Sequence, residues 1–379
     1  MSSAIPVPIR SAAAVTTTTP YRVMLVDDSA VIRGILARTL TNESDISVAV
    51  TASNGEQAVR LLAQHPVDVI VLDIEMPVLD GLGALPRLFA IDPNVKIVMA
   101  STLTQRNAEI SLKALELGAA DYIPKPTTTR EISAGDEFKR ELVAKVRTLG
   151  IAYRRAASLP LWTGPAETVP VAKPEPKPIA LRPYRVRPVE ALAIGSSTGG
   201  PQALLRFFKA LKTFPGPVLV TQHMPPTFTA ILADNLGRAS GRPCAEAKDG
   251  EPVRPGRIYV APGNFHMTLH RDPLGVRIAL NQDAPENFCR PSVDPMLRSM
   301  AQVWGPSVLT VILTGMGHDG LKGCRSMIAA GGIVIAQDEV TSVVWGMPGA
   351  VAHDGICSAV KPVDELAAFA ESLGQGRAP

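Results

Sequence analysis

The chain has 379 residues, 46% of them hydrophobic, and a net charge of +3, a length that suits two domains at roughly 100–200 residues each. The basic excess is small and partly gathered between Arg182 and Arg187, which argues against a nucleic-acid groove. Four widely spaced cysteines (Cys244, Cys289, Cys324, Cys357) form no C-x-x-C pair, which argues against a zinc site and a disulfide framework, and no apolar run approaches the roughly 18–20 residues that span a bilayer.

Aromatic residues make up only 4% of the chain, so its cores must rest on Val, Ile, Leu and Ala, as those of parallel α/β sheets do. The N-terminus lacks a signal-type apolar segment, and a cytoplasmic protein with no direct membrane insertion is expected. Residues 1–20 are rich in Ser, Ala, Thr and Pro and read as a disordered tail. From Tyr21 the pattern alternates. Apolar runs at 23–26, 46–50, 67–72, 95–100 and 120–123 read as strands, and helical spacing covers 30–40, 55–64, 110–117 (with Gly118 as its C-cap) and about 138–148. This order predicts a parallel sheet with helices on both faces over 21–150. Such sheets collect their functional groups at the carboxyl ends of the strands, and those ends carry Asp27, Asp28, Asp73, Ser101 and Lys125. Converging carboxylates repel one another unless a cation joins them, and hard oxygen ligands suit Mg²⁺. A lysine beside them can neutralise a phosphoryl oxygen.

Asp27-Asp28-Ser29, the run from Leu72-Asp73 to Pro77 with Asp80-Gly81, Ser101 and Lys125-Pro126 resemble the receiver domain of two-component response regulators. The resemblance covers about residues 20–145 and implies a flavodoxin-like fold. It implies that Asp73 accepts phosphate from a chemotaxis histidine kinase, and that Asp27, Asp28, Asp73 and the Glu75 carbonyl hold Mg²⁺. It further implies that Ser101, or alternatively Thr102, acts with Lys125 as the switch, and that Lys125-Pro126 is a cis bond.

Prolines crowd residues 151–187, which read as a semi-rigid linker. A second domain is expected over 188–373, followed by a loose tail at 374–379. Its strands are expected at 191–194, 217–221, 257–261, 308–313 and 333–336, with a hairpin of 267–270 and 276–280 turned at 272–275. Helices are expected at 203–211, 292–303 and 321–329. The pattern predicts a doubly wound, mostly parallel α/β domain carrying a β-hairpin.

Three reactive side chains stand just past strands of this domain. Ser197 sits in a G-x-S-x-G turn between Gly195 and Gly199, a geometry that lifts a hydroxyl above a sheet edge and precedes a helix start able to face an oxyanion. The same turn could instead cradle a phosphate. His223 ends the second strand and can serve as base, or it can be a hydrogen-bonded structural histidine. Asp319 can orient that histidine, or it can cap the helix from Gly320 onward. His318 is a rival base.

Residues 194–200, 221–226, 259–263, 290–294 and 313–320 are similar to motifs of the chemotaxis protein-glutamate methylesterase catalytic domain, over about 188–370. This resemblance implies a Ser197, His223, Asp319 triad, with Thr198, Gly199 and Met316 shaping the oxyanion site and no cofactor in the catalytic domain. The implied activity is hydrolysis of glutamate γ-methyl esters on methyl-accepting chemoreceptors, and deamidation of glutamines by the same acyl chemistry, under control of the phosphorylated receiver. Ser196 and His318 depart from the family pattern. The competing expectation is a phosphorylation-switched binding protein with a degenerate effector domain.

Overall fold

The computed structural model describes residues 19–102, 104–125, 136–162 and 179–379. The tail at 1–18, the middle of the linker (163–178) and the Lys125-Pro126 bond lie outside them. The first unit runs β1 (Tyr21–Val26), α1 (Ala30–Thr41), β2 (Ile46–Ala52), α2 (Gly55–Gln64), β3 (Val69–Asp73), α3 (Gly81–Ile91), β4 (Lys96–Ser101), α4 (Gln105–Glu116), β5 (Asp121–Pro124) and α5 (Asp136–Ala156). Its strands lie in the order β2-β1-β3-β4-β5, all parallel, which is the flavodoxin-like order. Both faces of β3 are buried, as the uninterrupted run Val69–Asp73 requires.

Helix starts follow from side-chain caps. The Ser29, Asn54, Asp80 and Thr104 side chains accept from the backbone N–H groups of Ile32, Gln57, Gly83 and Asn107. The Thr104 cap starts α4 five residues before the expected 110. Helix α3 escaped the sequence reading because Gly81, Gly83 and Pro86 disguise it. Gly81 is required there: a Cβ would lie 2.1 Å from the Asp73 carbonyl oxygen, and the Gly81 N–H donates to Ile74 O at 2.9 Å.

Helix α5 runs past the expected helix end near 148 and continues to Ala156. Tyr153 and Arg154 are buried on its last turns. The Tyr153 hydroxyl donates to Asp92, and Arg154 pairs with Asp68 while donating to the carbonyls of Thr19, Pro20 and Pro160. These contacts hold the helix where the proline-rich segment alone would end it.

The second unit runs β6 (Ala191–Ser196), α6 (Gly200–Ala210), β7 (Val218–Gln222), α7 (Phe228–Ser240), β8 (Cys244–Glu246), β9 (Ile258–Val260), β10 (His266–Asp272), β11 (Gly275–Asn281), α8 (Val293–Trp304), β12 (Val308–Ile312), α9 (Leu321–Ala329), β13 (Ile333–Gln337), α10 (Met347–His353), β14 (Ala359–Lys361) and α11 (Val363–Gly374). Seven strands form one parallel sheet in the order β14-β13-β12-β6-β7-β9-β8, and β10 and β11 form the antiparallel hairpin. The chain starts in the middle with β6, builds outward through β7, then crosses back to β12. The carboxyl ends of β6 and β12 therefore flank a topological switch point, where open α/β sheets place their sites.

Several elements went unread in sequence. Helix α7 follows Met-Pro-Pro and a positive-φ Thr227, and α10 follows a Gly-Met-Pro start. Helix α11 reaches Gly374, one residue into the expected tail, because Gly374 packs on Phe214 with no room for a Cβ. Helix α6 starts at Gly200 rather than 203, with Pro201 in its first turn, where a missing N–H costs nothing.

Candidate active site

The turn after β6 is tightly specified. Gly199 takes a left-handed backbone (φ 74°), and a Cβ there would press into Val343 at 2.6 Å. The Ser197 N–H donates to Thr314 O at 3.0 Å, and Gly200 N–H donates to Ser197 O at 2.7 Å. Ser197 thus hangs between the ends of β6 and β12. The N–H groups of Thr198, Gly199 and Met316 have no acceptor among the described residues.

His223 follows β7, whose last residue Gln222 pairs in register with Ser196. Gln222 went unnoticed in sequence, yet it joins the two strand ends. Its Oε1 accepts from Ser196 Oγ at 2.7 Å, and its Nε2 donates to Ser197 O at 2.9 Å and to His223 O at 3.1 Å. The first of these bonds accounts for Ser196, whose side chain is buried and donates to Gln222.

Asp319, after β12, is 2% exposed. Its Oδ2 contacts His223 Nε2 at 2.7 Å and accepts from Val293 N at 2.7 Å. Its Oδ1 accepts from Ser292 Oγ at 2.8 Å, Asn287 Nδ2 at 2.9 Å, Gly320 N at 2.8 Å and Asp294 N at 3.2 Å. The expected cap on the following helix is corrected: α9 begins on a left-handed Gly320 without a side-chain cap, and Asp319 instead sits at the N-terminus of α8. Burial raises its proton affinity, but His223 and these donors outweigh burial and hold the carboxyl well below the usual carboxylate range. On His223 burial opposes charge. Cys289 and Asp319 outweigh it and push the imidazole well above its ordinary value. A carboxylate on Nε2 fixes that nitrogen as the protonated one and leaves Nδ1 as the basic nitrogen.

Of the three expected residues, His223 and Asp319 are joined directly. The Ser197 hydroxyl makes no hydrogen bond among the described residues, and Nδ1 of His223 faces Cys289 Sγ at 3.3 Å. His318 is exposed and makes no side-chain hydrogen bond or ion pair among the described residues, so the rival base stands apart from the His223–Asp319 pair.

The receiver's strand ends form a second cluster. Ligand oxygens of Asp27, Asp28 and Asp73 lie within 4.8 Å of one another. Lys125 Nζ is 2.6 Å from both Asp27 Oδ2 and Asp73 Oδ1. Burial pushes the Asp73 carboxyl up; Lys125 works against this and Asp27 adds to it. The Glu75 N–H reaches Asp73 Oδ1 at 3.4 Å. Ser101 is buried and accepts from Ser111 Oγ at 3.1 Å, while Thr102 accepts from Asn107.

The two units meet at the serine turn. Thr198 Oγ1 donates to Asp121 Oδ2 at 2.6 Å, and Gln202 Nε2 donates to Ala119 O at 2.6 Å. The rings of Tyr122 and Phe228 stack at 4.4 Å. Met316, Val343 and Val344 pack into the apolar cluster of β1, β4 and α5.

Residues 192–370 match the family model described as CheB methylesterase, and residues 23–135 match the response regulator receiver domain. The chain is 56% identical over 377 residues to a Rhodospirillum centenum protein named protein-glutamate methylesterase/protein-glutamine glutaminase of group 2 operon, covering 95% of each. It is 56% identical over 362 residues to the Azospirillum brasilense protein-glutamate methylesterase/protein-glutamine glutaminase, covering 92% of each. The Thermotoga maritima CheB methylesterase catalytic domain aligns at 42% identity and TM-score 0.48, over 49% of this chain and 98% of that one. The chain therefore belongs to the protein-glutamate methylesterase/protein-glutamine glutaminase family, a methylesterase that carries a response-regulator receiver domain.

Proposed function

We propose that Ser197, His223 and Asp319 form the esterase triad, and that the substrate is a glutamate γ-methyl ester on the cytoplasmic helices of methyl-accepting chemoreceptors. The observation that carries this reading is the 2.7 Å His223 Nε2–Asp319 Oδ2 contact, held at the strand ends that also present Ser197. Ser197 Oγ attacks the ester carbonyl while Nδ1 of His223 takes its proton, and Asp319 stabilises the imidazolium. The free N–H groups of Thr198, Gly199 and Met316 donate to the oxyanion. The imidazolium returns the proton to the leaving methoxide, releasing methanol. Water activated by the same nitrogen then frees the glutamate. Glutamine deamidation follows the same course with ammonia leaving.

The receiver supplies control. Asp73 accepts phosphate from a histidine kinase, with Lys125 and Ser101 contacting the new phosphoryl group. Asp27, Asp28, Asp73 and the Glu75 carbonyl would hold Mg²⁺; their hard oxygen set fits that ion, which when bound offsets carboxylate repulsion and polarises the phosphoryl donor. With Thr198 bonded to Asp121 and Met316 packed against the receiver core, the receiver stands in the way of a receptor helix on the oxyanion side of the site. Phosphorylation favours an open arrangement by its differential stabilisation of that state. The reaction belongs in the cytoplasm, where the receptor helices and kinase are found. Among the described residues no helix is long and apolar enough to cross a membrane.

Methanol release from methylated receptor membranes tests the reading. Ser197→Ala should lose at least about a thousandfold in kcat while remaining folded. A folded Ser197→Ala protein with wild-type turnover would remove the triad and favour the switched binding protein.

A further inference from the structure

Both ring nitrogens of His223 are engaged, and neither by Ser197. Asp319 takes Nε2, and Cys289 Sγ lies 3.3 Å from Nδ1. A tight turn delivers the thiol. Cys289 N donates to Glu286 O at 2.9 Å, and Glu286 N donates to Cys289 O at 3.2 Å. The two residues between them, Asn287 (φ 53°) and Phe288 (φ 63°), are both left-handed. Asparagine tolerates that backbone; phenylalanine does so at a cost of about 1–2 kcal/mol. The turn persists because its flanks are tied. Asn287 Nδ2 donates to Asp319 and to Asp294, and Arg298 Nη1 donates to Glu286 at 2.9 Å. Phe288, 83% exposed, carries the guanidinium of Arg140 from α5 at 5.3 Å. One strained turn therefore touches the acid, the base and the receiver.

We propose that Cys289 is a brake on the base: its thiol occupies His223 Nδ1 in the resting enzyme and must be displaced before Ser197 can pass its proton to that nitrogen. The inference rests on the assignment of Ser197 and His223 as nucleophile and base. When the S–H proton moves to the ring, the pair becomes thiolate and imidazolium, and a protonated imidazole cannot deprotonate serine. The groups facing this pair are Asp319 directly, Asp294 beyond it, and the Glu286–Arg298 pair on the turn and α8.

The test uses the full chain and methylated receptor membranes across pH. Cys289→Ala should shift the acid limb of kcat/KM to lower pH by about one unit, roughly tenfold in rate on that limb, and raise the plateau. Cys289→Ser keeps a competing hydroxyl without the negative sulfur, so the limb should move while the plateau stays. An unmoved limb in both variants overturns the proposal. So does a loss of kcat in Cys289→Ala that Cys289→Ser restores, which would make the residue a support. A Ser197→Ala control that keeps turnover would instead indict the nucleophile assignment.

Alkylation of the otherwise unaltered protein by iodoacetamide gives a readout that does not depend on folding of the cysteine variants. The sulfur bonds to the methylene carbon, iodide leaves, and the thiol proton ends on His223 or solvent. Burial raises the thiols of Cys244 and Cys357 to about 12 and that of Cys324 well above its ordinary value, so Cys289 should be labelled first at neutral pH. Labelling should slow about tenfold in His223→Ala. Equal rates in the two proteins would overturn the pairing.

Discussion

Two parallel sheets in this chain present carboxylates at their carboxyl edges, and the two edges treat them in opposite ways. Asp73 at the end of β3 is buried beside Asp27 and Asp28, and its carboxyl is pushed up. Asp319 after β12 is buried at the N-terminus of α8, and its carboxyl is held down. Burial acts in the same sense on both. The difference lies in what surrounds them: Asp73 has one lysine and one long N–H bond from Glu75 to offset its acidic neighbours, whereas Asp319 receives hydrogen bonds from three backbone N–H groups, a serine, an asparagine and the imidazole. One edge is left electrostatically unfinished, ready for a cation and a phosphoryl group. The other is complete and holds a permanent anion.

The largest test of that contrast is Asp319→Asn. It keeps the shape but removes the charge and favours the wrong tautomer, so kcat should fall by roughly 10³–10⁴. A loss under about tenfold, with the fold confirmed by circular dichroism, would mean that the anion is structural. Asp73→Asn should abolish activation by a phosphodonor and leave the unphosphorylated rate intact, as read by methanol release with and without kinase.

The pH profile comes next. As the proposed base, His223 can act only when neutral, and its proton affinity is raised. The rate should therefore climb with pH through a value well above 6.5. An acid limb at or below 6.5 would break the assignment of Nδ1 as base. The sign reverses for stability: protonated His223 stabilises the fold fully below the unfolded value of about 6.5, and that contribution is lost as pH rises through the raised one.

Asp121→Asn weakens the Thr198 contact between the units by about 1 kcal/mol and should raise the unphosphorylated rate about fivefold. No change would show that this bond does not help to close the site. Ser196→Ala has the smallest expected effect: loss of its bond to Gln222 should lower stability by about 1 kcal/mol with little change in kcat, read by urea denaturation.

The strand-end positions were legible in sequence because period and order alone put Asp27, Asp73, Ser197, His223 and Asp319 just past apolar runs. What stood against them was not. Asn287, Ser292 and Cys289 reach the site from a turn and a helix start far along the chain, and no local pattern links them to His223. Gln222 reads as the last polar residue of a strand, and only the pairing of β6 with β7 shows that it joins Ser197 and His223. Helices α3 and α7 were hidden by glycine, proline and positive-φ starts, which mimic loops until a cap or a packed face is seen.

Gln222 has one further consequence. A single carboxamide grips the Ser196 hydroxyl and the main chain of both Ser197 and His223, so the proposed nucleophile and base ride on one plate. Separating the two units can uncover that plate without dismantling it. Warming the enzyme should then extinguish turnover in the same sharp step that melts the seven-stranded sheet, rather than through an earlier softening of the serine turn.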